Sequence, residues 1–387
     1  MRVAFFHNLP PGGGKRSAYE WVKRMSQRHE VDLYSYDPCA ENFLDIRPLV
    51  NKIVLIGGAS TASQGYFGRL LALNRVRLLS RLLAEKIDSA GYDLAFVMQC
   101  RVSNSPFILR HLKTPSLYFC HEPLTRMLEP HYPAKWKEGY LSLVKRQVVN
   151  AYLSLDRSNA VKASLICTSS LYSRESLYRA YGLYPRLNYP GVDTEHFQPL
   201  GTEREAIVLS VGSLNPSKGH DFVIRSVGMI KEEVRPKVKI IYSSEHYRVD
   251  YKEQLAHLGE QLRVSVVFDS LITDDDLVHA YNSAMVTACP NLLEPLGLVA
   301  LESMACGTPV VGVAEAGIRE TVQHNENGLL TERDPREFAR AIIELMQDRA
   351  TWARMSQLGR QRMLERWTWD QSSEKLDAHM KMASEMR

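Results

Sequence analysis

At 387 residues, with 45% hydrophobic and 24% charged side chains, the chain has a globular composition and the length of two domains rather than one. No run approaches the roughly 20 apolar residues of a membrane-spanning helix, and MRVAFFHNLPPGGGK lacks the apolar length and small-residue cleavage site of a signal peptide. The net charge of +4 is unevenly divided: residues 1–195 hold 26 Lys and Arg against 16 Asp and Glu, residues 196–387 hold 22 against 28.

Short β-branched or aromatic runs alternate with helix-like segments throughout. In the first half the predicted strands are Val3–Phe6, Val31–Tyr36, Leu94–Met98, Leu117–Cys120 and Leu165–Thr168. Helices are expected over Arg16–Arg28, Leu70–Lys86, Lys137–Lys162 and Ser170–Tyr181. After the turn-rich stretches at Tyr189–Asp193 and Pro199–Gly201 the alternation restarts, with strands Ile207–Val211, Val238–Tyr242, Val264–Phe268, Met285–Ala288 and Pro309–Val313. Helices begin near Asp221, Val249, Asp274 and Gly297, and three more follow from about Pro335, one carrying Trp352 and the last following Trp367 and Trp369. Repeated strand–helix units imply parallel sheets covered by helices on both faces. A mid-chain restart implies two such domains, 1–195 and 196–369, with the boundary near 190–205 and a final helix, about 370–387, packing back on the first. Open sheets of this kind bind ligands at the carboxyl ends of their strands, so a cleft between two of them is the expected place for chemistry.

The six cysteines are scattered without a C-x-x-C or Cys/His cluster, which points to reduced thiols in a cytosolic chain and to no zinc site. A basic first half suits an anionic partner such as a membrane surface or a phospholipid-linked acceptor, with uneven solvated charge as the alternative of equal weight. Nucleic acid is not expected, because the basic residues are dispersed and accompany no nucleic-acid-binding pattern; Arg69, Arg75 and Arg77 are among the charges that a membrane surface would engage.

The strongest chemical signal is Glu294-Pro-Leu-Gly-Leu-Val-Ala-Leu-Glu302, followed by Ser303-Met-Ala-Cys-Gly-Thr-Pro-Val310. Pro295 and Gly297 fall where a helix would begin, and Gly307 and Pro309 where it would end. The first-turn N–H groups near Gly297, Leu298 and Val299 would form an anion site. Glu294 and Glu302 would then lie up to roughly 12 Å apart along the helix axis. That is too far for a glycosidase acid/base pair, which needs about 5–9.5 Å. It suits a sugar nucleotide, with Glu294 at the sugar hydroxyls and Glu302 at the ribose. The bland alternative makes Glu294 a helix cap and Glu302 a solvated helix residue.

With its following A-x-G-x-P-V-V, this E-x7-E segment resembles the donor site of glycosyltransferase family 4, retaining enzymes of the group 1, GT-B type. Val211-Gly-Ser-Leu-Asn-Pro-Ser-Lys-Gly219 is similar to the family's V-G-R-L-x-x-x-K-G, and Tyr189–Phe197 to its P-G-V-D-x-x-x-F. Ala316–Glu320 and Asn327–Leu330 resemble its G-G-x-x-E and N-G-x-L. The resemblance implies two Rossmann-like doubly wound parallel-sheet domains facing across a cleft, binding donor in the second. It implies that Lys218 grips the donor diphosphate and that the loop Pro10–Lys15, with Gly13 and Gly14, closes over the donor phosphates and sugar. It also places His121, at the end of a predicted strand, beside the donor sugar. Catalytic roles are therefore expected of His121, Lys218 and Glu294, and donor contacts of Gly13, Gly14, Lys15, Ser213, Lys218, Glu294, Gly297, Leu298, Val299 and Glu302.

Departures are as informative. Ser213 stands where the family has a phosphate-binding Arg, so Lys218, or another basic residue such as Lys15, would carry more of the diphosphate charge. Ser243, Ser244 and Asp269-Ser270 replace family glycines and bear on the base contacts. The one D-x-D string, Asp274-Asp275-Asp276, opens a predicted helix and reads as capping rather than as a metal site between phosphates, so no metal or other cofactor is expected. The implied activity is metal-independent transfer of a hexose, glucose from UDP-glucose, to a glycan or lipid-linked glycan, at the inner face of the membrane. A sugar-nucleotide 2-epimerase of the same fold, and a non-catalytic sugar-nucleotide-binding homologue, are the competing readings.

Overall fold

The structure, a computed structural model, describes residues 1–36, 41, 43–57, 66–125, 142–242, 249–270 and 273–386, without the side chains of 66–71, 142–146 and 249. Ser243, Ser244, the Arg69 side chain and residues 137–141 of the third expected helix lie outside the described residues. The chain divides into two compact units. The first comprises the described residues up to Pro190 together with those from Trp369 onward, and the second runs from Gly191 to Thr368.

The first unit carries β1 (Arg2–Asn8), α1 (Gly13–Met25), β2 (Glu30–Ser35), β3 (Lys52–Leu55), α2 (Tyr66–Ala90), β4 (Leu94–Cys100), β5 (Ser116–Phe119), α3 (Ser142–Ala160), β6 (Leu165–Thr168), α4 (Leu171–Tyr181) and β7 (Arg186–Leu187). Its sheet has the order β3-β2-β1-β4-β5-β6-β7, and every pairing is parallel. The central strands are apolar on both faces because helices cover both, and every residue of β4 is buried. Helix α1 turns Ala18, Trp21, Val22 and Met25 to this sheet. Helix α12 (Trp369–Ser384) joins the same core through Trp369, Leu376 and Met380. Trp21 meets the Trp369 ring edge-on at 6.0 Å, and its indole N–H donates to Ser372 Oγ at 2.9 Å.

The second unit carries β8 (Glu205–Val211), α5 (His220–Gly228), β9 (Lys237–Tyr242), α6 (Val249–Gln261), β10 (Val266–Ser270), α7 (Asp274–Ser283), β11 (Ala284–Cys289), α8 (Leu298–Ala305), β12 (Val310–Val313), α9 (Ile318–Thr321), β13 (Gly328–Thr331), α10 (Pro335–Gln347) and α11 (Arg349–Arg366). Its parallel sheet runs β10-β9-β8-β11-β12-β13. Within the acidic run 274–276, Asp276 forms a reciprocal capping box with Thr273 at the start of α7, and Asp275 lies 3.6 Å from His196 Nε2. Asp193 accepts from the N–H groups of Glu195 and His196, both at 3.1 Å, as a turn residue does. Asp269 pairs with Lys239 at 2.8 Å.

Three strands had no counterpart in the sequence pattern: β3, β7 and β13. β3 and β7 lie at the edges of the first sheet, where β3 is half exposed and β7 has two residues, and β13 edges the second sheet and begins on a glycine. Short edge strands have neither the length nor the continuous apolar run by which buried strands announce themselves.

Candidate functional site

In each sheet the strand order reverses once, between β1 and β4 and between β8 and β11. At such a point the loops leaving the two central strands diverge and open a crevice at the carboxyl edge. The predicted site residues of the second unit sit in the loops after β8 and β11 and in helix α8, which follows the second of them.

After β8, Asn215 caps a short turn, Pro216–Lys218, by accepting from Ser217 N–H at 3.1 Å. After β11, Leu292 N–H donates to Ser217 O at 2.8 Å, tying the two loops together. Across this tie Lys218 Nζ stands 3.1 Å from Glu294 Oε2, and Asn291 Nδ2 donates to the same oxygen at 2.7 Å. Lys218 and Glu294 are 31% and 19% exposed, so the pair is sheltered but reachable by a ligand.

The backbone around Glu294 is unusual. Leu293, Gly297 and Ala316 all have left-handed φ, at 51°, 94° and 53°. Strain of this kind, about 1–3 kcal/mol for each non-glycine residue, persists only where neighbours over-determine it. Here they do: Gly317 N–H donates to Glu294 O at 2.9 Å, and Arg333 forks onto Glu315 at 2.9 and 2.7 Å while donating to Pro290 O at 2.9 Å. Gly297 caps α8 without a side-chain acceptor. The first-turn N–H groups at Leu298 and Val299, which no helix can satisfy internally, are thus left for another partner at the positive end of the helix.

Glu302 lies in the body of α8, 7% exposed, and accepts from Tyr281 Oη at 2.8 Å. It is therefore not the solvated helix residue that one alternative allowed. Ser213 contributes its carbonyl to the scaffold. Asn215 N–H donates to it at 2.7 Å and His220 Nε2–H at 3.2 Å, while His220 Nδ1 accepts from Ser210 Oγ at 2.8 Å. Burial lowers the His220 pKa to about 4, so the imidazole is neutral with its proton on Nε2.

In the first unit the loop after β1 places Gly12, with φ 136° and no side-chain acceptor, at the start of α1. Gly13 is exposed, and Gly14 lies against His121, where a Cβ would sit 3.6 Å from the ring. His121 follows β5 and packs beside Phe119 and, nearly parallel at 6.5 Å, beside Trp21. Its Nε2 is shut off from solvent and has no hydrogen-bond partner among the described residues, and burial lowers its pKa to about 4. The imidazole is neutral at pH 7.

Lys15 departs from expectation. Its side chain is fully buried, with Nζ 2.9 and 3.0 Å from the oxygens of Glu41, whose Oε1 is also 2.7 Å from His7 Nε2. Burial resists ionisation of Glu41, yet the His7 hydrogen bond and the charges of His7 and Lys15 hold its pKa at about 2. A lysine committed in this way does not present its charge to a phosphate, so Lys15 does not make up for Ser213. Asn291, Tyr281, Arg333 and His220 were not singled out by the sequence. Only Asn291, three residues before Glu294, carried a local signal in its spacing.

Residues 192–362 match the family described as Glycosyl transferases group 1. The D-inositol 3-phosphate glycosyltransferase of Acidothermus cellulolyticus is 34% identical over 206 residues, which cover 48% of this chain and 46% of that protein. The GDP-mannose-dependent alpha-(1-6)-phosphatidylinositol monomannoside mannosyltransferase of Mycobacterium tuberculosis is 31% identical over 230 residues, 54% of this chain and 59% of that one. The chain spans about half the length of the curated relatives it matches. Among solved structures, sucrose-phosphate synthase from Thermosynechococcus elongatus superposes with a TM-score of 0.80 at 19% identity, over 98% of both chains. Anabaena HepE in complex with UDP and glucose superposes with a TM-score of 0.74 at 19% identity, over 98% of this chain and 99% of that one. At such identities the likeness is one of fold, two Rossmann-like domains of the GT-B class. The match to the group 1 glycosyltransferase family spans residues 192–362, which include both of the loops that carry Lys218 and Glu294.

Proposed function

We propose that the protein transfers a hexose from a nucleoside-diphosphate sugar, UDP-glucose, to a glycan or lipid-linked glycan, with retention of anomeric configuration and without a metal. The observation that carries the reading is the Lys218–Glu294 pair, 3.1 Å apart at the strand-order reversal and directly ahead of the α8 N-terminus. It sets a cation and a helix start, both suited to a diphosphate, beside a carboxylate suited to sugar hydroxyls.

In this scheme the bond from the anomeric carbon to the β-phosphate oxygen breaks as the acceptor oxygen bonds the same face of that carbon. The acceptor's proton passes to the departing phosphate oxygen, so no strong protein base is needed. Negative charge grows on the diphosphate through an oxocarbenium-like transition state. Lys218 and the N–H groups at Gly297, Leu298 and Val299 stabilise that charge, a type of contribution that commonly dominates rate enhancement. Glu294 accepts from the sugar hydroxyls, and Glu302, steadied by Tyr281, accepts from the ribose. His121 is assigned to the donor sugar and Gly13 and Gly14 to the donor phosphates by the family resemblance. As a neutral imidazole His121 would exchange a hydrogen bond rather than a charge.

The acceptor reading draws on the surplus of ten positive charges in residues 1–195. Helix α2 adds to it with exposed Arg75, Arg77 and Arg81 beside Leu78 and Leu82, 67% and 49% exposed. No helix among the described residues is long and apolar enough to cross a membrane. Attachment to an anionic bilayer would therefore be peripheral at this face.

A thermal-shift panel of UDP-glucose, UDP-N-acetylglucosamine, GDP-mannose and ADP-glucose tests the donor, because a ligand of the native state raises its melting temperature. Stabilisation by UDP-glucose, with slow release of glucose and UDP, is expected. Stabilisation by GDP-mannose alone would replace the donor, and interconversion of the sugar without hydrolysis would replace a transferase by an epimerase.

A further inference from the structure

The turn that carries His121 is held by side chains that the proposed chemistry leaves unused. Gln99, at the carboxyl end of β4 and 9% exposed, accepts from His121 N–H through Oε1 at 3.1 Å. Through Nε2 it donates to Glu122 O at 2.9 Å and to Asn104 Oδ1 at 2.8 Å. One amide thus grips the backbone on both sides of the His121 Cα. Asn104, with a left-handed φ of 57°, turns its Nδ2 to Glu122 O at 3.4 Å and to Asp156 Oδ1 at 3.2 Å. Asp156, in α3 and 1% exposed, accepts from Leu124 N–H at 3.2 Å, Ser105 N–H at 2.8 Å and Tyr181 Oη at 2.6 Å.

These contacts fix a short turn past the end of β5, where the sheet ladder no longer does so. Among the described residues the His121 ring makes no hydrogen bond through Nε2, and it packs against Trp21, Phe119 and Gly14. Its direction is therefore inherited from its backbone. A side chain whose amide orientation is set by two opposite demands, an N–H to accept and a C=O to donate to, fixes that backbone in one pose.

We propose that Gln99 is a positioning residue for His121, acting through a two-sided amide clamp on the 121–122 backbone that Asn104 and Asp156 buttress. The proposal rests on the transferase reading for its effect on turnover, and on geometry alone for its effect on His121. Misplacing a reacting group by about 1 Å can cost on the order of a hundredfold in rate while ground-state binding survives. Gln99 should thus separate kcat from donor affinity.

The test uses Gln99→Met, which keeps the side chain's length and removes the amide's three hydrogen bonds, and Asn104→Gly, which keeps the left-handed backbone and removes the buttress. Both are compared with His121→Ala and the Gln99→Met/His121→Ala double variant. In protein carrying isotope-labelled histidine, the His121 resonance, assigned by its loss in His121→Ala, is titrated against pH. The titration midpoint is expected to rise by at least about one unit in Gln99→Met, towards the ordinary 6.5, as the turn loosens and water reaches the ring. Turnover should fall by about ten- to a hundredfold with the UDP dissociation constant changed less than twofold. The double variant should be no slower than His121→Ala, because two residues acting through one imidazole do not add. An unmoved His121 titration in both Gln99→Met and Asn104→Gly would overturn the clamp whatever the enzyme's activity. So would rate losses that multiply in the double variant. Absence of transfer and of donor hydrolysis in the unaltered protein would instead remove the transferase reading, and the titration would still decide the clamp.

Discussion

Replacing Lys218 by methionine separates the structural from the functional weight of the Lys218–Glu294 pair. Methionine keeps the stem, which packs where a Cβ on Gly212 would come within 3.2 Å of Lys218 Cγ, and removes only the charge. With the partners 31% and 19% exposed, water screens the pair, and its net worth to folding is about 0–1 kcal/mol. For a unit of this size that is a melting shift of at most about 2–4 °C. A diphosphate on Lys218 accepts charge-assisted hydrogen bonds worth about 1.5–3 kcal/mol, or about ten- to a hundredfold in dissociation constant. Calorimetric titration with UDP should show that loss, while uridine, which has no phosphates, should bind the variant as it binds the parent. Raising the salt concentration should narrow the gap between parent and variant, since the lost interaction is partly screened. The freed Glu294 carboxylate would also repel a diphosphate, and Lys218→Met/Glu294→Gln separates the two causes: restored UDP affinity in the double variant would assign the loss to that repulsion. If UDP binding by Lys218→Met stays within threefold of the parent, or if uridine binding falls equally, the diphosphate does not lie on Lys218.

Tyr281→Phe removes the hydroxyl that donates to the buried Glu302 at 2.8 Å. It should cost about 1.5–3 kcal/mol of stability, read by urea unfolding, and should weaken uridine as well as UDP, because Glu302 is assigned to the ribose. Gly317→Ala would set a Cβ 1.9 Å from Pro295 O, so the Glu294 loop must shift; a melting loss worth about 2 kcal/mol or more and loss of UDP binding are expected. His121 and His220 both have pKa values lowered to about 4 by burial, whereas the unfolded chain takes up these protons near 6.5. Their contribution is therefore full above about pH 6.5 and falls as the pH drops to 4, by up to roughly 3 kcal/mol each. A urea midpoint unchanged between pH 7.5 and 4.5 would contradict it. Removing residues 369–387 takes Trp369, Leu376 and Met380 out of the first unit's core, and the near-ultraviolet signal of Trp21 should be lost with them.

What the sequence made legible follows from what local pattern can encode. Buried parallel strands and amphipathic helices repeat at fixed periods, so β1, β4, β6, β8 and β11 and the helices between them were readable to within a few residues. The Pro and Gly around Glu294 encode a helix start, and α8 begins at Leu298. Pairings between distant elements leave no such trace. Tyr281 meets Glu302, Arg333 meets Glu315, and Gln99 grips residue 122 only because the topology brings elements distant in sequence side by side.

Lys15 and Lys218 show the boundary most sharply. Each is a lysine close to glycines, following the central strand at which its sheet reverses, and by that description both are phosphate ligands. What separates them is the neighbouring loop. For Lys218 it brings Glu294, sheltered but reachable, next to a helix start; for Lys15 it brings Glu41, sealed from solvent together with His7. One local signal did distinguish them. Lys15, Ala18, Val22 and Met25 recur at helical spacing, and all four are buried on the inner face of α1. A cation on the apolar stripe of a helix requires a buried counter-charge before it can serve any ligand, and the spacing alone was enough to ask for one. Lys218 closes a short turn and belongs to no such stripe, and its partly exposed charge is the one that the proposed function assigns to the diphosphate.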